Sequence, residues 1–240
     1  MPPSLKAPVR RLLNAWNAPR RSHALKRVTR ELRRAVQAGA VSPALCHDLR
    51  AVWGNPAWTA DAEYLACIAA RALERRGPVL ECGSGLSTLV LGVIADESGT
   101  NAWSLEQDGR WHRFMSAVLD RLGIRRVALW HAPLVTCGDL VWFDLGARRL
   151  PATLMHVFCD GPSVLPQDWP EPFHGGWRAG VVPELQRCGV RFAEIVLDDA
   201  DDPRCSALRR RWNALGVATR IVRTATGSLL IGRDVRGLAG

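Results

Sequence analysis

The chain has 240 residues, 48% of them apolar. That is enough for one α/β domain with an appendage, and no apolar run reaches the ~18–20 residues a membrane span needs. The net charge of +9 sits in one place: residues 1–34 hold ten Lys/Arg against the single acid Glu31, and the remainder holds 22 of each sign. The seven cysteines are odd in number, scattered and without a Cys-x-x-Cys pair. They read as reduced, buried thiols of a soluble cytoplasmic protein, which argues against a disulfide scaffold or a zinc site.

In chain order, prolines punctuate residues 1–20, and a basic helix follows over 21–38 with Leu25, Val28, Leu32 and Val36 on one stripe. This arm could contact nucleic acid, a membrane surface or an acidic partner, or simply pack its stripe on the domain. It also mimics a transit peptide. However, 30 of the 32 cationic residues are Arg, so Arg richness is a habit of the whole chain. We divide the chain into a basic arm with a helical extension (1–54) and a nucleotide-type domain (55–240). Asn55–Thr59 breaks the pattern before a helix over 60–75, with Thr59 as its N-cap. Gly77-Pro78 then delivers the chain into a first strand.

That strand ends in the organising stretch, Pro78-Val79-Leu80-Glu81-Cys82-Gly83-Ser84-Gly85-Leu86-Ser87-Thr88. An apolar run, an acid, two glycines one residue apart and a hydroxyl pair opening an apolar helix make a strand, a tight turn and a helix start. Such a turn lets a ligand approach the backbone and offers it free N–H groups. Glu81 would repel a dinucleotide pyrophosphate but not a cationic, amine-bearing cofactor. A second strand, 102–106, ends in Glu106, 23 residues beyond Gly83, which suits a carboxylate accepting ribose hydroxyls. Next come an amphipathic helix (108–122), a third strand (127–130) leading to His131-Ala132, and an irregular insert (136–150). A fourth strand (152–158) runs into Asp160-Gly161-Pro162. The long loop 163–180 carries His174 and reads as a lid. A helix (181–188), a fifth strand (194–197) ending in Asp198-Asp199, a helix (205–215) and a hairpin around Ala225-Thr226-Gly227 complete the chain. Alternating strands and helices predict a doubly wound, mostly parallel sheet.

The glycine stretch, taken with the next two strands, resembles the Glu-x-Gly-x-Gly motif of class I S-adenosylmethionine (SAM) dependent methyltransferases over about residues 55–233. The resemblance implies a Rossmann-like seven-stranded sheet of order 3-2-1-4-5-7-6 with the last strand antiparallel. It also implies SAM as cofactor. Gly83, Ser84 and Gly85 would admit its methionine part and Glu81 would orient its amino group. Ser87 and Thr88 would supply helix-start contacts, Glu106 would hold the ribose, and His131-Ala132 would border the adenine. Trp58 with Thr59 would lie near the cofactor mouth, or would only hold the helix start.

Five acids, Glu81, Glu106, Asp160, Asp198 and Asp199, end four of the strands, where doubly wound sheets bind ligands. A buried, unpaired acid is costly, so packing alone does not explain them. Asp160 could act as a base, or Asp160, Asp198 and Asp199 could hold an Mg²⁺-like ion that activates an acceptor hydroxyl. Asp198-Asp199 could instead cap the following helix. Arg178 could bind a substrate carboxylate or phosphate, or lie on the surface. His174 is a second candidate base. The segment Asp160-Gly161-Pro162 … Arg178 … Leu197-Asp198-Asp199-Ala200 resembles a bacterial small-molecule methyltransferase group more than the metal-dependent catechol-type enzymes. The expected activity is therefore methyl transfer from SAM to an O or N nucleophile of a small molecule. The alternatives are an RNA or protein methyltransferase guided by the arm, an NAD-type oxidoreductase, or a non-catalytic nucleotide-binding protein.

Overall fold

The computed structural model describes residues 19–55, 59–162 and 178–235. In chain order the elements are α1 (Pro19–Gln37), α2 (Pro43–Trp53), α3 (Ala62–Glu74), β1 (Val79–Cys82), α4 (Leu86–Ser98), β2 (Ala102–Glu106), α5 (Gly109–Leu122) and β3 (Val127–His131). There follow β4 (Leu134–Cys137), β5 (Leu140–Phe143), β6 (Thr153–Cys159), α6 (Val181–Arg187), β7 (Arg191–Leu197), α7 (Cys205–Ala214), β8 (Val217–Arg223) and β9 (Ser228–Asp234). The main sheet has the order β3-β2-β1-β6-β7-β9-β8, with β4 and β5 paired separately. With that hairpin set aside, this is the expected order 3-2-1-4-5-7-6. β9 runs antiparallel to both of its neighbours.

The period-2 alternation of the strands divides the core into two layers. Val79, Phe158, Val196, Leu229 and Ile231 point into one layer, which α1 to α5 cover. Leu80, Cys82, Val157, Ile195, Leu197 and Leu230 point into the other, beneath α6, α7 and the β4–β5 hairpin. All ten residues from Leu86 to Ala95 of α4 are buried, as suits a helix that is apolar on every side. Among the described residues no helix is long and apolar enough to cross a membrane.

The basic helix docks. Leu25, Val28, Leu32 and Val36 are all buried in the first layer, each contributing roughly 1.5–3 kcal/mol by removal from water. Arg33 Nη1 lies 2.6 Å from Glu97 Oε1, and its Nη2 lies 3.1 Å from Asp96 Oδ2. The last residue of α2, Trp53, packs edge-on against Trp111 and Phe114 of α5 at 6.4 and 6.2 Å between ring centroids.

Two expectations change. Residues 136–150 are not all irregular: Thr136 and Cys137 belong to β4, and Leu140–Phe143 is β5, joined through Gly138 at φ 64°. A Gly-Asp turn between β-branched and aromatic runs is a hairpin signal. The N-cap of α3 is Asp61 rather than Thr59, because the Thr59 hydroxyl donates to the Asn55 carbonyl instead. Trp58, His174 and most of the expected lid lie outside the described residues.

Candidate active site

The site is built where β1 and β6 leave the sheet and the chain crosses to opposite faces. Gly83, at φ 89°, donates its N–H to the Leu105 carbonyl at 2.9 Å. A Cβ added there would meet Gly161 Cα at 2.7 Å, and one added to Gly161 would meet Gly83 Cα at 2.6 Å. The two glycines let the two strand exits press together, while the Gly161 and Asp160 amides both donate to the Cys82 carbonyl. Gly83 therefore serves backbone packing first. Gly85 differs: an added Cβ would meet nothing within 4 Å, so open room lies over this half of the turn.

Glu81 ends β1 at 2% exposure. Its Oε2 accepts from Thr88 Oγ1 and from Ser104 Oγ, both at 2.6 Å. Its Oε1 is buried with no hydrogen-bond partner. Burial pushes this carboxyl up to about 7, against the opposing effect of the Ser104, Ser87 and Thr88 hydroxyls. Thr88 Oγ1 also accepts from the Gly85 amide at 2.8 Å. Thr88 thus holds Glu81 and the turn in place, and its hydroxyl is already engaged.

Glu106, at 6% exposure, ends β2. Its Oε2 accepts from Ser84 Oγ at 2.6 Å and Ser84 N at 3.2 Å, and its Oε1 accepts from Asp108 N at 2.8 Å. Burial raises its pKa, and the Ser84 hydroxyl and the two amides oppose the shift. An ionised carboxylate offers about four acceptor positions, so one is left here, and rotation of the Ser84 hydroxyl would release another. Trp111 Nε1 donates to the Ser84 carbonyl at 2.8 Å, which links the turn through Trp53 to the N-terminal helices. His131 and Ala132 border this half. Ala132 N donates to the Glu106 carbonyl at 2.8 Å, and the His131 ring lies 5.8 Å from that of His112.

At the other half, Arg178 is neither a surface residue nor a free anion receptor. It is 5% exposed. Its Nη1 donates to the Asp198 carbonyl at 2.9 Å, and its Nη2 donates to the Asp160 carbonyl at 2.5 Å and to Asp199 Oδ2 at 3.1 Å. Asp160 Oδ1 is 3.5 Å from the same nitrogen. The expected Asp160–Asp198–Asp199 metal set is not assembled: no group of three metal-capable side chains exists among the described residues. The guanidinium supplies the positive charge between Asp160 and Asp199. Asp198-Asp199 does not cap α7 either, since Arg204 holds the N-cap position. Asp199 adopts φ 58°. Burial, with Asp160 and Asp199 adding repulsion, lifts the Asp198 carboxyl to about 8. Burial also raises Asp160, against the pull of Arg178.

Beside this cluster lies a cavity of about 320 Å³ lined by Asp61, the N-cap of α3, and Tyr64 within that helix, by Arg178 and Asp198, and by Thr226 and Ser228 of the terminal hairpin, among others. The hairpin is tied to α3 by the Thr226 amide, which donates to Glu63 Oε2 at 3.2 Å. The cavity's size falls in the range of small-ligand sites.

No protein-family profile matches the chain, and neither does any curated protein sequence. Solved structures do. The precorrin-6y C5,15-methyltransferase of Geobacter metallireducens GS-15 aligns at TM-score 0.51 and 12% identity, over 74% of this chain and 90% of that one. SAH-bound Podospora anserina PaMTH1 aligns at 0.51 and 16%, over 79% and 85%. The N-terminal domain of human METTL16 aligns at 0.55 and 9%, over 81% and 82%. The fold is that of the class I SAM-dependent methyltransferases.

Within this methyltransferase fold, three contributors are not singled out by the sequence. Ser104 pairs with Glu81 in the β1–β2 register, and a lone polar residue inside an apolar strand was the available signal. Tyr64 and Asp61 reach the cavity from α3, and only the tertiary path of that helix brings them there.

Proposed function

We propose that the chain transfers the methyl group of SAM to an oxygen or nitrogen nucleophile of a small molecule in the cytoplasm. The observation that carries this reading is Glu81 Oε1, a buried carboxylate oxygen with no partner, at the mouth of a turn whose Gly85 faces open room. Such an oxygen calls for a cationic donor, and the ammonium of the methionine moiety is one. Glu106 would receive the ribose hydroxyls as the Ser84 hydroxyl turns away, His131 and Ala132 would flank the adenine, and Ser87 and Thr88 would keep Glu81 aligned. SAM supplies an electrophilic methyl on a sulfonium; the protein's part is to bring an acceptor into line with it and shield the pair from water. A carboxylate at the strand ends, Asp160 of the β6 exit or Asp198 of the β7 exit, would take an acceptor's proton.

A small acceptor is favoured over RNA by the charge around the site. Asp61, Asp198, Asp199, Asp201 and Asp202 line the cavity against two arginines, and such a rim repels a phosphate backbone. METTL16 has been solved with an RNA hairpin, but here Arg33 of the basic helix is turned to Asp96 and Glu97. Calorimetry with S-adenosylhomocysteine and, separately, NAD tests the assignment. The expected result is saturable binding of the first alone. Binding of NAD, or of neither at millimolar concentration, would overturn it.

A further inference from the structure

Resting on the reading above, we infer that the cavity between α3, the β7 exit and the β8–β9 hairpin receives the ammonium group of the acceptor, so that the substrate is a primary or secondary amine and nitrogen is methylated. Two independent observations meet there. The first is an imbalance of charge. Of the five aspartates lining the cavity, Asp61 is paired with Arg50 at 3.0 Å, Asp199 with Arg178 at 3.1 Å and Asp202 with Arg204 at 2.5 Å. Asp198, half-buried at the β7 exit, has no ion pair among the described residues, and exposed Asp201 has none either. Like charges on Asp160 and Asp199 crowd Asp198, and a cation placed there would relieve them.

The second observation is Tyr64. It is 1% exposed, lines the cavity, and its hydroxyl has no hydrogen-bond partner among the described residues. A buried tyrosine hydroxyl usually finds a partner. Tyr64 and Asp198 line the same cavity. The hydroxyl can accept one N–H while Asp198 accepts another. A quaternary ammonium has no N–H to offer, and an anionic acceptor would meet the unpaired carboxylate. An uncharged alcohol would satisfy the phenol but bring no positive charge to Asp198, which Asp160 and Asp199 already crowd.

The reaction balances on these groups. The bound ammonium gives one proton to the Asp198 carboxylate, which frees the nitrogen lone pair. The N–C bond forms as the C–S bond breaks, the sulfonium becomes a neutral thioether, and the positive charge ends on the methylated amine.

The test uses the full chain saturated with S-adenosylhomocysteine. Binding is measured for phenethylamine, benzylamine and cadaverine, for the neutral isosteres phenethyl alcohol and benzyl alcohol, and for phenylacetate. The expected result is that amines bind while the isosteres and phenylacetate do not. Asp198→Asn and Tyr64→Phe, which preserve shape, should each weaken amine binding about tenfold or more, equivalent to ~1.4 kcal/mol. S-adenosylhomocysteine affinity should stay within about twofold. Equal binding of amines and alcohols, no amine binding, or amine binding indifferent to both variants overturns the inference while leaving methyl transfer standing. Failure of S-adenosylhomocysteine itself to bind overturns the parent reading.

Discussion

At the β1–β2 half of the sheet edge two buried carboxylates are held by neutral donors alone, whereas at the β6–β7 half a buried guanidinium lies between two aspartates. Hydroxyls and amides hold Glu106 and the Oε2 of Glu81, but they do not cancel the cost of burying charge, so Glu81 rises to about 7. Arg178 neutralises its half internally, tying the β6 and β7 exits through the Asp160 and Asp198 carbonyls. The first half leaves one buried carboxylate oxygen, Glu81 Oε1, without a partner. The second is a structural clamp with one carboxylate, Asp198, left over.

The sharpest way to break this comparison is at the glycines. Gly83→Ala places a Cβ 2.7 Å from Gly161 Cα at a positive φ. The expected loss is about 5 kcal/mol or more, seen as loss of soluble, folded protein. Gly85→Ala meets nothing, so thermal melting should hardly move while S-adenosylhomocysteine binding weakens. Next in size, Arg178→Met leaves Asp160 and Asp199 facing each other without their cation. Chemical denaturation should show a loss of about 3–5 kcal/mol.

Glu81→Gln sharpens the contrast, because its effect should fall on binding rather than on folding. Affinity for S-adenosylhomocysteine should drop about tenfold, with no loss of melting temperature. The pH dependence has a definite sign. The folded carboxyl holds its proton up to about 7, above its value in the unfolded chain. Its burial is therefore free of charge cost at low pH, and stability falls as pH rises from the ordinary carboxylate range through 7. Ligand affinity should run the other way, strengthening from pH 6 to 8 as Glu81 ionises. The Glu81→Gln variant should show neither share of the dependence. The smallest expected effect is that of a chelator: since the cation between Asp160 and Asp199 is a guanidinium, EDTA should leave methyl transfer unchanged.

Much of the frame was legible in the chain. Alternating runs and punctuation marked each strand of the main sheet, and the acid-glycine-glycine turn marked the switch point. What could not be read was which side chains answer one another across the edge. Arg178 stands out in the sequence as an anion receptor or a surface residue, but its place between Asp160 and Asp199 is set by the tertiary fold. Gly83 reads as a ligand position in the sequence because the facing glycine lies 78 positions later. Tyr64 looks like one more apolar position on a helix, and its role follows from α3 packing over the strand ends.

A crystal structure with S-adenosylhomocysteine tests the central claim most directly. The account predicts the ligand's ammonium within hydrogen-bond distance of Glu81 Oε1 and its ribose hydroxyls on Glu106, with the sulfur facing Asp160. A ligand bound elsewhere, or one that leaves Glu81 Oε1 untouched, would contradict it.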